Sequence, residues 1–273
     1  MDPYIADPAR IPATDRYTDV PLYGRYFPRP DDFQINPRYI NSHSPESIQY
    51  WASVIGLCDD SKRLYPADES GRDVFALGSI IVKSSHLHAS DDGKVTERDY
   101  SFADANEVEA IALARGVMNN VKTPDVYFAG KASSLFINMV IERLPGVALT
   151  VAIPYLSQSQ RASFKQQLRE ILRQLHTIKP TERLLKRRHV VPDPNIVTNG
   201  RLNPREVDVL FSDDNTDTDM SFMHNDLSES NCIVDEDTIV GLIDWEMAGF
   251  FGWKTAGKSI GGSGRLRGNI LRM

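Results

Sequence analysis

The stretch that most limits how this chain can fold runs from His224 to Glu246, HNDLSESNCIVDEDTIVGLIDWE. CIV and TIVGLI are apolar and rich in β-branched residues, and the acidic DED lies between them. That pattern predicts a tight hairpin, a strand over 232–234 returning as 238–243. Paired strands lie ~5 Å apart, so Asn231 at the entrance and Asp244 at the exit become neighbours although the whole hairpin separates them in sequence. Asp226 sits on the loop leading in. Three oxygen-bearing side chains thus converge on one end of one hairpin.

An amide and a carboxylate are oxygen ligands, and they suit a hard cation such as magnesium, which keeps its waters and shares phosphate oxygens. A nearby carboxylate that the cation does not need is placed to accept a proton from an attacking hydroxyl. These are the parts that phosphoryl transfer requires. Two other metal chemistries fit worse. A facial iron triad needs two histidines and a carboxylate, and no histidine follows His224. His86 and His88 form the only other close pair, with no cysteine cluster, so zinc lacks a ligand set and the pair reads as solvated loop.

The length of 273 residues, 41% of them hydrophobic and 25% charged, suits one large domain or two lobes. No run approaches the ~20 apolar residues of a membrane span. The start, MDPYIADPARIPATDR, lacks the basic and apolar regions of a signal peptide. Cys58 and Cys232 are too few for a disulfide framework, which points to a reducing compartment, the cytoplasm. A net charge of −6 gives no general attraction to nucleic acid or anionic lipid. The expected partner is therefore a small molecule, with neither nucleic acid nor membrane involved.

Along the chain, residues 1–45 are proline-rich and polar and read as an arm docking through Tyr23, Tyr26 and Phe27. PESIQYWASVIGLC predicts a short helix burying Ile48, Trp51, Val54 and Ile55, and DVFALGSIIVKSS predicts a strand. ADANEVEAIALARGVMNN follows as a helix with Val108, Ile111 and Ala112 on one face. VKTPDVYFAG and SSLFINMVIERLPG read as two strands, with Pro145–Gly146 closing the second. SQSQRASFKQQLREILRQLHTI places Phe164, Leu168, Ile171, Leu172 and Leu175 at helical spacing, and Ser157 with Gln160 offers a capping box. Residues 180–220 read as a long polar connection. The order predicts an α+β chain, a smaller N-terminal part of strands with one helix and a helix-rich C-terminal part.

H-x-D-x-x-x-x-N, a hairpin, and then an apolar residue with Ile–Asp resembles the catalytic loop and metal-binding aspartate of the protein-kinase-like fold. HNDLSESN…GLIDWE is most similar to the aminoglycoside phosphotransferase and choline kinase group. The resemblance covers roughly residues 70–252. It implies a two-lobed α+β fold with an N-terminal antiparallel sheet, and ATP and magnesium as cofactors. Asp226 would be the catalytic base, Asn231 and Asp244 the magnesium ligands, and His224 a structural brace of the loop. Lys83 ends GSIIVK where the family carries its strand lysine, and Glu107 or Glu109 on the next helix would be its partner, with Glu107 preferred. A capping box with Asp104 as N-cap is a competing role for Glu107. FINMVIERLPG resembles the family's hinge, so adenine would pair with backbone near Glu142 and Arg143, flanked by Ile141.

Neither G-x-G-x-x-G nor an A-P-E after Asp244 is present, which separates the chain from protein kinases and favours a small-molecule acceptor with a hydroxyl. The implied organisation is an arm over 1–45, a nucleotide-binding lobe over 46–142, a catalytic lobe over 143–252 and a flexible tail over 253–273. The family continues with several more helices after the metal aspartate, whereas WKTAGKSIGGSGRLRGNILRM lacks helical periodicity. A C-terminally truncated relative is expected on this reading. The rival reading is a catalytically impaired relative that serves as a nucleotide-binding or interaction module. The acidic run SDDNTDTD reads as a solvated loop before it reads as a contact for a polycationic acceptor.

Overall fold

The computed structural model describes residues 8–65, 72–84, 99–131, 137–180, 188–198, 202, 204–211 and 217–252. The chain forms two compact units, one of residues 2–104 with 124–147 and the other of 105–123 with 148 onwards. The expected tail over 253–273, the His86 and His88 pair and most of the acidic run lie outside the described residues.

The first unit begins with β1 (Arg25–Tyr26) and α1 (Pro45–Ile55). Ser44 caps α1 by accepting from the Ser47 N–H, and Pro45 occupies the first turn, where its missing N–H costs nothing. DVFALGSIIVKSS is two strands rather than one, β2 (Asp73–Leu77) and β3 (Ile80–Ser84). Gly78 makes the turn between them. Its φ is +51°, and a Cβ there would stand 2.5 Å from the Phe33 nitrogen, so a left-handed, crowded position breaks an otherwise continuous apolar run. With β4 (Val126–Lys131) and β5 (Ile137–Glu142) they form an antiparallel sheet in the order β2-β3-β5-β4.

Register sorts the side chains of this sheet. Val74, Lys83 and Met139 stand in one row, and Ala76, Ile81 and Ile141 in the next row of the same face. Phe75, Leu77, Ile80, Val82 and Val140 take the other face and pack with Trp51, Val54 and Ile55 of α1 and with Phe128. Trp51 is fully buried and its Nε1 donates to the Tyr39 carbonyl at 3.0 Å. Ile48 is only half-buried, so α1 turns a narrower apolar face inward than expected.

Of the three aromatic residues expected to dock the arm, Tyr23 and Tyr26 do so and Phe27 does not. β1 pairs with the first residues of β6 (Gly146–Ala148), Arg25 opposite Val147 and Tyr26 opposite Gly146. The Arg143 guanidinium lies 4.6 Å from the Tyr26 ring centroid and donates Nη2 to the carbonyls of Leu22 and Arg25. Tyr23 sits against the rings of Tyr17 and Tyr65. Phe27 is 63% exposed and anchors nothing.

α2 (Ser101–Arg115) carries the chain from the first unit into the second. Its buried positions are Ala103, Asp104, Asn106, Glu107, Ala110, Ile111 and Ala114, while Val108 is half-buried and Ala112 exposed. The helix starts at Ser101, so Asp104 lies inside it and pairs with Arg72 at 2.7 Å. The capping-box role for Glu107 therefore falls away.

In the second unit, α3 (Leu149–Ala152) leads to α4 (Gln158–His176). The Ser157–Gln160 capping box is formed, and α4 buries Phe164, Leu168, Ile171, Leu172 and Leu175 as the periodicity predicts. The stretch 180–220 is not merely a polar connection: it contains β7 (Arg188–His189) and α5 (Pro204–Phe211) and leads into β8 (Met220–Met223). The expected hairpin follows as β9 (Cys232–Asp235) and β10 (Thr238–Leu242), and β11 (Gly249–Gly252) closes the described chain. β11 lies between β7 and β8, antiparallel to both. Among the described residues, no helix is long and apolar enough to cross a membrane.

Candidate active site

β8 and β11 position the site. Met223, the last residue of β8, stands opposite Gly249, the first of β11. The chain leaving β8 through His224–Asp226 and the chain entering β11 through Asp244–Ala248 therefore emerge at the same end of one strand pair, with the β9–β10 hairpin between them. Cys232 pairs with Leu242, and the Ile243 N–H donates to the Asn231 carbonyl at 3.0 Å. This places Asn231 beside the chain that carries Asp244.

Around this end nearly every carbonyl of the 242–248 segment has a donor. The Trp245 indole N–H takes the Leu242 carbonyl at 3.1 Å, and His224 Nε2 meets that of Ile243 at 3.1 Å. The Ala248 N–H takes the Trp245 carbonyl, and the Asn225 amide takes that of Met247, both at 2.9 Å. Asn106 on α2 donates to the carbonyls of Glu246 and Ala248, each at 2.9 Å. Trp245 is fully buried, parallel to Phe222 and 4.4 Å from the His224 ring. His224 is itself buried. Asn225 and Asp244 both have positive φ, 61° and 66°. Non-glycine residues hold that conformation only where their surroundings fix it, and such positions cluster at functional sites.

Asp226 is partly buried, and its Oδ2 accepts from the Asn231 amide at 3.0 Å, as its backbone carbonyl does at 2.8 Å. Asn231 thus spends its N–H groups on Asp226 and leaves its side-chain oxygen as the end suited to a cation. Burial, and then the charge of Asp244, push the Asp226 carboxyl up to about 7, against the lowering hydrogen bond from Asn231. A carboxyl poised near neutrality is matched to work as a general base.

Glu107, Asp244 and Glu246 bring one carboxylate oxygen each to within 4.8 Å of one another. Three hard oxygen donors at that spacing fit a divalent cation such as magnesium. Glu107 is fully buried whereas Glu109 is exposed, and of the two glutamates it is Glu107 whose carboxylate joins those of Asp244 and Glu246. Glu246 stands two residues after Asp244 in the same motif, a signal the sequence does offer, whereas Asn106 carries no local signal at all.

In the first unit Lys83 is buried on β3, on the same sheet face as Ile141. The N–H of Glu142 donates to the Asp125 carbonyl and that of Arg143 to the Ser79 carbonyl. Burial pushes the Arg143 guanidinium down to about 10. Beside it, a cavity of ≈ 170 Å³ lined by Leu22, Arg25, Tyr26, Ala76 and Gly78 is below the ~300 Å³ of an ordinary small-molecule site.

Residues 101–250, more than half of the chain, match the phosphotransferase enzyme family known as APH. The chain belongs to that family. The match contains α2 and the whole of the His224–Glu246 stretch, so both halves of this phosphotransferase's carboxylate cluster lie inside it. A search of curated proteins gives no match. Among solved structures, the phosphotransferase is similar to aminoglycoside phosphotransferase APH(2'')-IIa in ternary complex with streptomycin and ATP, at 14% identity and a TM-score of 0.47, over 79% of this chain and 75% of that one. ADP-bound APH(2'')-Ib gives 16%, 0.47, 78% and 74%. The macrolide 2'-phosphotransferase MphH of Brachybacterium faecium gives 14%, 0.43, 79% and 75%.

Proposed function

We propose that this phosphotransferase moves the γ-phosphoryl group of ATP, with magnesium, to a hydroxyl of a small molecule in the cytoplasm. The observation that carries the reading is the meeting of Asp226, Asn231 and Asp244 at the mouth of the β8–β11 pair, with Glu107 and Glu246 completing a carboxylate cluster, in a chain of the phosphotransferase family. In this proposal Asp226 orients the acceptor hydroxyl and takes its proton at a carboxylate oxygen. Asn231 holds Asp226 in place through its amide and offers its oxygen, with the carboxylate of Asp244, to the cation. Held by these residues, magnesium would supply charge neutralisation for the phosphates. Lys83 binds the phosphates, Glu107 is assigned to the same phosphate-binding machinery, and Ile141 flanks the adenine at the hinge of Glu142 and Arg143. His224 braces the loop. The acceptor is left as a hydroxyl-bearing metabolite, because a fold shared by many phosphotransferases does not choose one.

The test is ATP- and magnesium-dependent transfer to a panel of hydroxyl-bearing small molecules, wild type against Asp226→Ala. Loss of the base is expected to lower turnover about 10²- to 10⁴-fold. Absence of nucleotide binding at millimolar ATP would overturn the proposal, and equal turnover in the variant would remove Asp226 from its role.

A further inference from the structure

We propose that Asn106 is the positioning residue that sets divalent-cation affinity, by holding the Asp244–Ala248 turn against α2; the inference rests on the phosphotransfer reading of this site. Asn106 is 1% exposed. Its amide nitrogen donates to the carbonyls of Glu246 and Ala248, both at 2.9 Å, and its Oδ1 accepts from the Val191 N–H at 2.8 Å. An asparagine side chain has two N–H donors and one carbonyl, and here one residue binds three backbone groups with them. Aspartate has no N–H for the two carbonyls and serine has only one donor, so the arrangement requires an amide.

The consequence reaches the carboxylates because of where these groups sit. Glu107 follows Asn106 directly on α2, and its carboxylate oxygen lies within 4.8 Å of those of Asp244 and Glu246. The clamp holds the backbone of Glu246 itself and that of Ala248, four residues after Asp244. Asp244 has a φ of 66°, a conformation that relaxes unless the flanking chain is fixed. Asn106 therefore determines how far the carboxylates of Asp244 and Glu246 stand from that of Glu107. Residues that orient ligands in this way alter cation affinity when changed. Further along the same connection, the Asn119 N–H donates to Gln174 Oε1 of α4 at 3.0 Å, a tie of similar kind made to none of the groups of 244–248.

The experiment measures Mn²⁺ binding by electron paramagnetic resonance in the full chain, with a non-hydrolysable ATP analogue present, and melting temperature in the same samples. Asn106→Ala is expected to weaken Mn²⁺ binding about 10- to 100-fold. Asn106→Ser, which keeps one donor, should fall between that variant and wild type. Gln174→Ala should lower the melting temperature and leave Mn²⁺ affinity unchanged. Mn²⁺ affinity within twofold of wild type in folded Asn106→Ala overturns the inference, and so does a loss in Gln174→Ala equal to that in Asn106→Ala. Should Asn106→Ala not fold, Asn106→Ser takes its place under the same criterion. A wild type that binds no Mn²⁺ overturns this inference and the phosphotransfer reading together. Mn²⁺ binding without transfer to any acceptor overturns only the phosphotransfer reading.

Discussion

Replacing His224 by leucine separates a brace from a proton carrier. His224 is buried, its Nε2 meets the Ile243 carbonyl at 3.1 Å, and its ring lies 4.4 Å from that of Trp245. Leucine keeps most of the volume, so little cavity forms. What is lost is the partner of a backbone carbonyl beside the active site, about 1–3 kcal/mol, and a ring contact of about 0.5–1.5 kcal/mol. The expected destabilisation is about 2–4 kcal/mol, a fall in melting temperature of roughly 5–15 °C for a chain of this size. Calorimetry reads that quantity. The pH–rate profile of the same variant reads the chemistry: turnover should fall as the Asp244 turn loosens, while the limb belonging to Asp226 stays in place. A melting temperature within a degree of wild type would refute the bracing role. A vanished limb would show that His224, not Asp226 alone, moves a proton.

Two further outcomes follow from the charges around the turn. Glu107→Gln should raise the magnesium concentration for half-maximal turnover about tenfold or more, whereas Glu109→Gln, at an exposed position of the same helix, should leave it unchanged; a magnesium titration of both variants decides. In chelator, the Asp226 carboxyl titrates near 7 against an ordinary 3.8, so the folded state holds a proton that the unfolded chain has released. The stabilisation from this group is complete below about pH 4 and is lost as pH rises through 7. Denaturant unfolding of wild type should therefore lose more stability between pH 5 and 8 than Asp226→Asn does, and equal losses would refute the assignment.

The hairpin was legible because both strands, the turn and the polar residues at its mouth are encoded within a few positions of one another. Local pattern was enough to bring Asn231 next to the chain of Asp244, and the Asn231–Ile243 backbone bond realises it. The strand pair that presents the hairpin was not legible. β11 is GFFG, and its glycines look like linker residues until the neighbour is known: a Cβ on Gly249 would stand 2.3 Å from the Arg188 carbonyl oxygen. That glycine is there because β7 passes too close for a side chain, a long-range requirement with no local trace. The arm was legible at Tyr23 and Tyr26 but not at Phe27, for a similar reason. Aromatic residues marked it as a docking segment, but the one that buries deeply, Tyr26, is selected by Arg143, more than a hundred residues later in sequence.

α2 shows most clearly why part of the site was hidden. Its sequence suggests an apolar stripe through Val108, Ile111 and Ala112, yet the structure buries Asn106 and Glu107 and exposes Ala112. Burying an amide and a carboxylate is unfavourable unless hydrogen bonds or a counter-charge replace the lost water, so apolar packing alone would rotate the helix the other way. The three hydrogen bonds of Asn106 oppose that rotation. They are possible because the neighbouring buried positions are small. Ala110 and Ala114, one and two turns further along, are fully buried, and side chains of that size let the helix backbone come near enough for a short asparagine to reach the 246 and 248 carbonyls. The helix is therefore held by its polar partners, and the same partners place Glu107 against Asp244 and Glu246. The hydrophobic pattern finds Ile111 and misses Asn106 and Glu107, because polar partners share the face that this helix buries.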